Sequence, residues 1–142
     1  MKPITPPLPS GLAAIKATFG EPGKVRLDLV DVEVPGYRNK RVKFYCHYLL
    51  QPILRWVFLE IGRRGLGNKL ISFDGCYNPR IMRGSASKWS SHAWAIAVDT
   101  NANGNFKAPG TEDQAAISQV FKEAGFVQLA HDPMHHQWAT KY

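Results

Sequence analysis

The stretch Ala93–Val98, reading Ala-Trp-Ala-Ile-Ala-Val, narrows the possible folds more than any other part of the chain. Such a run belongs in a core, and with the turn-rich Asn101–Gly104 behind it the spacing predicts a buried strand. Leu70–Phe73, after Gly65–Gly67, reads the same way. Between Val25 and Val34 the residues Val25, Leu27 and Leu29, then Val32 and Val34, alternate with period two; the slip between the sets predicts a strand with a bulge before Pro35 and Gly36.

Other segments carry helical spacing. Tyr45, Leu49, Leu50, Ile53, Val57, Phe58 and Ile61 recur at intervals of three and four, which predicts one amphipathic helix over Lys43–Arg63, kinked at Pro52. Leu12–Phe19 predicts a short helix stopped by Gly20, Pro22 and Gly23. Thr111 with Gln114 is a capping-box start for a helix through Ile117, Val120 and Phe121 to Gly125, and His135–Ala139 predicts a last strand. Helices segregated from strands that do not recur as βαβ units imply an α+β fold: a small, mostly antiparallel sheet with helices packed on it.

A chain of 142 residues with 44% hydrophobic content fits one domain, 1–142, whose first 24 residues form an arm and the short helix. Four Trp, seven Phe and five Tyr supply a core that needs no disulfide or metal, so a metal would serve function. Cys46 and Cys76 form no CxxC pair and read as reduced structural thiols. Pro3, Pro6, Pro7 and Pro9 stand where a signal peptide needs an apolar segment, and no apolar run reaches the roughly 18 residues of a membrane span; synthesis in the cytoplasm is the expectation. The net charge of +7, densest at Arg38, Lys40, Arg41, Lys43, Arg63 and Arg64, draws polyanions, whether nucleic acid, anionic lipid or anionic cell-envelope polymers.

His92 and Asp99 flank the apolar run, so an imidazole before a strand and a carboxylate at its far end reach one metal if the strand bends. Downstream, His131-Asp132-Pro133-Met134-His135-His136 adds a carboxylate three residues before a histidine, with a bend at Pro133. Two neutral imidazoles and one carboxylate are the usual open catalytic zinc set, with a further position for water. Asp132, left over from that set, reads as a general base able to take a proton and pass it to a leaving amine.

In these residues the chain resembles the zinc D-alanyl-D-alanine carboxypeptidases and L-alanyl-D-glutamate endopeptidases, a family that includes many phage endolysins and shares its fold with the Hedgehog signalling domain. The hallmark is Ser-x-His, six residues and Asp, then an acidic residue three before a second His; Ser90, His92, Asp99, Asp132 and His135 match it in order. Tyr77-Asn78-Pro79-Arg80 resembles an upstream Tyr-Asn-x-Arg segment of one branch. The likeness spans roughly residues 70–139. It implies a Hedgehog/DD-peptidase-like fold, Zn2+ on His92, Asp99 and His135, Asp132 as base, and Arg80 steadying a substrate carbonyl or carboxylate; Ser90 reads as tuning the site by hydrogen bonding, and Arg83 is the substitute if Arg80 instead pairs with a surface carboxylate. Ala95 stands where the family usually has glycine, His136 where it usually has an aromatic, and Val127-Gln128-Leu129 where a Trp-Gly-Gly element is common.

Neighbours on a strand face opposite ways, so only one of His135 and His136 can join His92; register with the family selects His135. His131 reads as a surface or substrate-contacting residue, His47 as a half-buried polar residue on the long helix, and Trp94 and Trp138 as packing residues. The function expected is hydrolysis of an amide bond in bacterial peptidoglycan stem peptides by a phage lytic enzyme that accumulates in the host cytoplasm and acts at the wall. The rivals are a non-catalytic wall-binding or structural protein of the same fold, and a basic nucleic-acid-binding protein, although no specific nucleic-acid motif is visible.

Overall fold

The computed structural model describes residues 1–102 and 112–142. In chain order it has α1 (Leu12–Phe19), β1 (Leu27–Glu33), β2 (Arg41–His47), α2 (Gln51–Arg63), β3 (Phe73–Gly75), β4 (Ala97–Thr100), α3 (Glu112–Ala124), β5 (Val127–Leu129) and β6 (Asp132–Gln137). The class is α+β. β1 and β2 form a two-stranded hairpin, and a second sheet runs β3-β4-β6-β5, with all these strand pairs antiparallel.

The long helix expected over Lys43–Arg63 is two elements. Val42, Phe44 and Cys46 alternate inward along β2 while Lys43 and Tyr45 face solvent, Tyr45 at 55% exposure. The chain then turns through a 3-10 turn, Tyr48–Leu50, and only afterwards enters α2. Pro52 therefore lies in the first helical turn, where its missing N–H costs nothing, and makes no kink. His47 consequently ends a strand and is buried, its Nε2 2.9 Å from the Phe19 carbonyl.

The bulge expected in the first strand is likewise absent: β1 pairs with β2 in unbroken register from Leu27↔His47 to Glu33↔Arg41. The slip in the pattern is instead a change of face, with Val30 and Val32 fully inside and Leu27 and Leu29 half-buried on the other side. Leu70 caps a 3-10 turn over Gly67–Lys69, so β3 begins only at Phe73. The start of α3 expected at Thr111 lies outside the described residues, whereas its course to Ala124 follows the apolar spacing.

α2 buries Ile53, Leu54, Val57, Phe58 and Ile61 against β1 and α3. Phe58 meets Phe44 and Phe121 edge-on at ring separations of 5.6 and 5.9 Å, so one aromatic cluster joins hairpin, α2 and α3. Gly67 is required by close approach: an added Cβ would stand 1.8 Å from the Pro35 carbonyl oxygen. α3 lies against β6, which fixes one face of the second sheet and leaves the other to the site. The N-terminal segment is pinned down by Trp138 Nε1 donating to Pro7 (3.1 Å), Thr140 N to Pro9 (2.9 Å) and Trp94 Nε1 to Gly20 (2.8 Å). No helix among the described residues is long and apolar enough to cross a membrane.

Candidate metal centre

The run Ala93–Val98 is buried throughout, but it is not one strand. Ser91–Trp94 form a 3-10 turn whose first N–H groups need partners, and Ser90 Oγ caps it by accepting from His92 N at 3.2 Å. Ala95 then adopts a left-handed conformation, φ 56° and ψ 38°, before β4 starts at Ala97. That conformation is costly for any residue with a Cβ and is where glycine is favoured. The resulting corner brings His92 back toward the end of β4. Periodicity could not reveal it, since a buried turn and a buried strand leave the same apolar run.

Register does the rest. Asp99 of β4 is directly opposite His135 of β6, and Ala97 opposite Gln137, so Asp99, His135 and Gln137 share one face. Val98 and His136 share the other. His92 Nε2 is 3.0 Å from Asp99 Oδ2, and His135 Nδ1 is 3.1 Å from Asp99 Oδ1. The ligand atoms of the three residues all lie within 4.8 Å of one another, and the group can hold a metal ion.

The outer nitrogens are also committed. His92 Nδ1–H donates to the Cys76 carbonyl at 2.7 Å, and His135 Nε2–H to Gln137 Oε1 at 2.8 Å. A neutral imidazole has one N–H, so both inward nitrogens present lone pairs to a carboxylate that also presents lone pairs. Three acceptors facing inward ask for a cation between them, and the outer bonds are those that orient metal-binding histidines. Without an ion, an imidazole that takes up a second proton donates inward instead. Burial disfavours charge on Asp99, yet hydrogen bonds from His135 and His92 in their protonated forms outweigh it and hold the carboxyl well below its usual range. Burial also opposes charge on His135, but the bond and charge of Asp99 raise its imidazole above the usual value.

Asp132 opens β6, half-buried, with Oδ1 shut away from solvent and without a hydrogen-bond partner among the described residues. Burial raises its carboxyl; His135 opposes that rise and the charge on Asp99 adds to it. Arg80 stands in the loop after β3. Its backbone carbonyl accepts from Ser90 N at 2.9 Å, while among the described residues its guanidinium donates to the Ile81 carbonyl, at 3.3 Å. Arg83 and His131 are exposed.

His136 turns to α3, with Nε2 2.8 Å from Ser118 Oγ and its ring stacked on Phe121 at 4.3 Å. Burial pushes it down to about 3, a neutral core histidine. Cys46 and Cys76 are free, buried thiols, and burial pushes Cys46 up to about 12. Trp94 and Trp138 are core residues.

Sequence reasoning missed Ser91, Gln137 and the Cys76 carbonyl. Ser91 Oγ, rather than that of Ser90, comes within 3.3 Å of His135 Nε2. Gln137 had a readable signal, lying two residues from His135 on a strand and so on its face. The other two depend on long-range contacts that no local pattern encodes. No protein-family model, curated protein or solved structure matches this chain.

Proposed function

We propose that this chain is a zinc metallopeptidase that hydrolyses an amide bond in the stem peptide of bacterial peptidoglycan, a phage lytic enzyme with a Hedgehog/DD-peptidase-like fold. The observation that carries this reading is the inward convergence of lone pairs from His92, Asp99 and His135, the last on the strand that also bears Asp132, whose Oδ1 has no partner among the described residues. Two imidazoles and one carboxylate suit zinc and leave its coordination open. When bound there, zinc supplies Lewis acidity that polarises a carbonyl and makes water acidic.

The chain's own residues supply the rest. A carboxyl with a raised pKa exchanges protons near neutrality more readily than an ordinary one, and Asp132 takes the proton of the attacking water and returns it to the departing amine nitrogen. The amide is thereby cleaved to a carboxylic acid and an amine. Among the described residues the Arg80 guanidinium makes one long bond, to a backbone carbonyl, and a guanidinium held so loosely can turn to meet a substrate carbonyl or carboxylate. Ser90 holds the turn that carries His92. The net charge of +7 favours approach to the anionic polymers of the wall.

Incubating the zinc-loaded protein with purified walls is the test, with release of new amino groups as the expected result. Zinc bound and walls bound, with no amino group released, would contradict hydrolysis and support a non-catalytic wall-binding protein. Salt-sensitive DNA binding that ignores a chelator, with no effect on walls, would instead support the nucleic-acid reading.

A further inference from the structure

Gln137 lies on the same face of β6 as His135 and opposite Ala97. It is 2% exposed, Ser91 beside it 3% and His135 7%, so water has little access to replace any hydrogen bond among them. Gln137 Nε2 donates to the Ala139 carbonyl at 3.3 Å. A carbonyl only accepts, so the amino end of the Gln137 amide must face Ala139 and its oxygen must face His135. There Oε1 accepts from Ser91 Oγ at 3.1 Å and from His135 Nε2 at 2.8 Å. Oε1 cannot donate, so the proton of a neutral His135 sits on Nε2 and Nδ1 is left bare, 3.1 Å from Asp99 Oδ1.

We propose that Gln137, braced by Ser91 and the Ala139 carbonyl, is a positioning residue that locks His135 in the tautomer whose Nδ1 faces the metal. The inference rests on the reading of His92, Asp99 and His135 as ligands, and it extends that reading to a residue outside the ligand set. Without Gln137 the imidazole can turn over or carry its proton on Nδ1, and either change withdraws a ligand. The amide network on the far side of β6, where Gln114 and Gln128 donate to Ser118, serves His136 and does not reach this face.

Two variants test it, Gln137→Leu, which keeps the bulk and removes the acceptor, and Gln137→Glu, which keeps an acceptor. The zinc dissociation constant should rise about 10- to 100-fold in the first, the loss typical when the outer partner of a ligand histidine is removed. It should largely recover in the second. Long-range proton–nitrogen NMR of the metal-free protein, at a pH high enough that the His135 nitrogen shifts no longer change, should place the His135 proton on Nε2 in the wild type and not uniquely there in Gln137→Leu. A wild-type proton on Nδ1, unchanged zinc affinity in Gln137→Leu, or equal zinc loss in both variants with the tautomer unaltered would each overturn the proposal. A wild type that takes up no zinc removes the ligand reading instead, and the tautomer spectrum still decides the role of Gln137.

Discussion

At the scale of single residues, Asp132 and His136 sit close together in sequence and burial moves them in ways that can be measured. The carboxyl of Asp132 is raised, so the base form appears only as pH climbs past that raised value. In the metal-free protein the Asp132 carboxyl should therefore titrate above an ordinary aspartate when followed by carbon NMR, and zinc loading should draw it back down. Asp132→Asn should lower the rate of stem-peptide cleavage about 10²- to 10⁴-fold while zinc stays bound. Loss of zinc with the activity would point to a ligand rather than a base.

His136 has the opposite sign from a stabilising ion pair. Its folded value of about 3 lies below the ordinary 6.5, so the unfolded chain binds the proton first. Stability is full above 6.5 and falls as pH drops toward 3, by at most about 1.4 kcal/mol per pH unit from this group. His136→Phe, which keeps the stack on Phe121, should flatten that slope in urea melts recorded across the same pH range. An unchanged slope would show that acid sensitivity comes from elsewhere.

At the scale of elements, α1 and α3 were readable because Gly20 and Gly125 punctuate clear apolar spacings. β2 and α2 were not separable, because Tyr45 falls by coincidence on the helical spacing although it points to solvent, while Val42, Phe44 and Cys46 mark the strand. β5, at three residues, carries too little pattern to be seen, and it pairs with β6 through a register shift. That His92, Asp99 and His135 could gather around one ion was legible from residue order together with the family resemblance that this order suggests. The corner at Ala95 and the outer partners were not, because they depend on backbone conformation and on contacts between distant segments. Phe58, fully buried where hairpin, α2 and α3 meet, should cost about 3–5 kcal/mol when cut to alanine. Gly67→Ala should be more disruptive than its size suggests, since the obstacle is the Pro35 backbone rather than a movable side chain. A variant that melts with the wild type would contradict that close approach.

At the scale of the whole molecule, one apolar core joins the hairpin, α2, α3 and the N-terminal segment to the run Ala93–Val98 that lies between His92 and Asp99, and its buried apolar contacts are complete without an ion. Chelation should therefore lower the melting temperature without unfolding the chain. Restoring zinc at 100 times its dissociation constant should return about 2.7 kcal/mol, and more zinc should bind as pH rises and His135 loses its proton. Collapse of the fold on chelation would mean that the ion is structural. The most direct test of the central claim is zinc stoichiometry, measured side by side in the wild type, His92→Ala, Asp99→Ala, His135→Ala and His136→Phe. One zinc per chain in the wild type and in His136→Phe, with loss in the other three, is the predicted result; retention in His135→Ala, or loss in a folded His136→Phe, would contradict it.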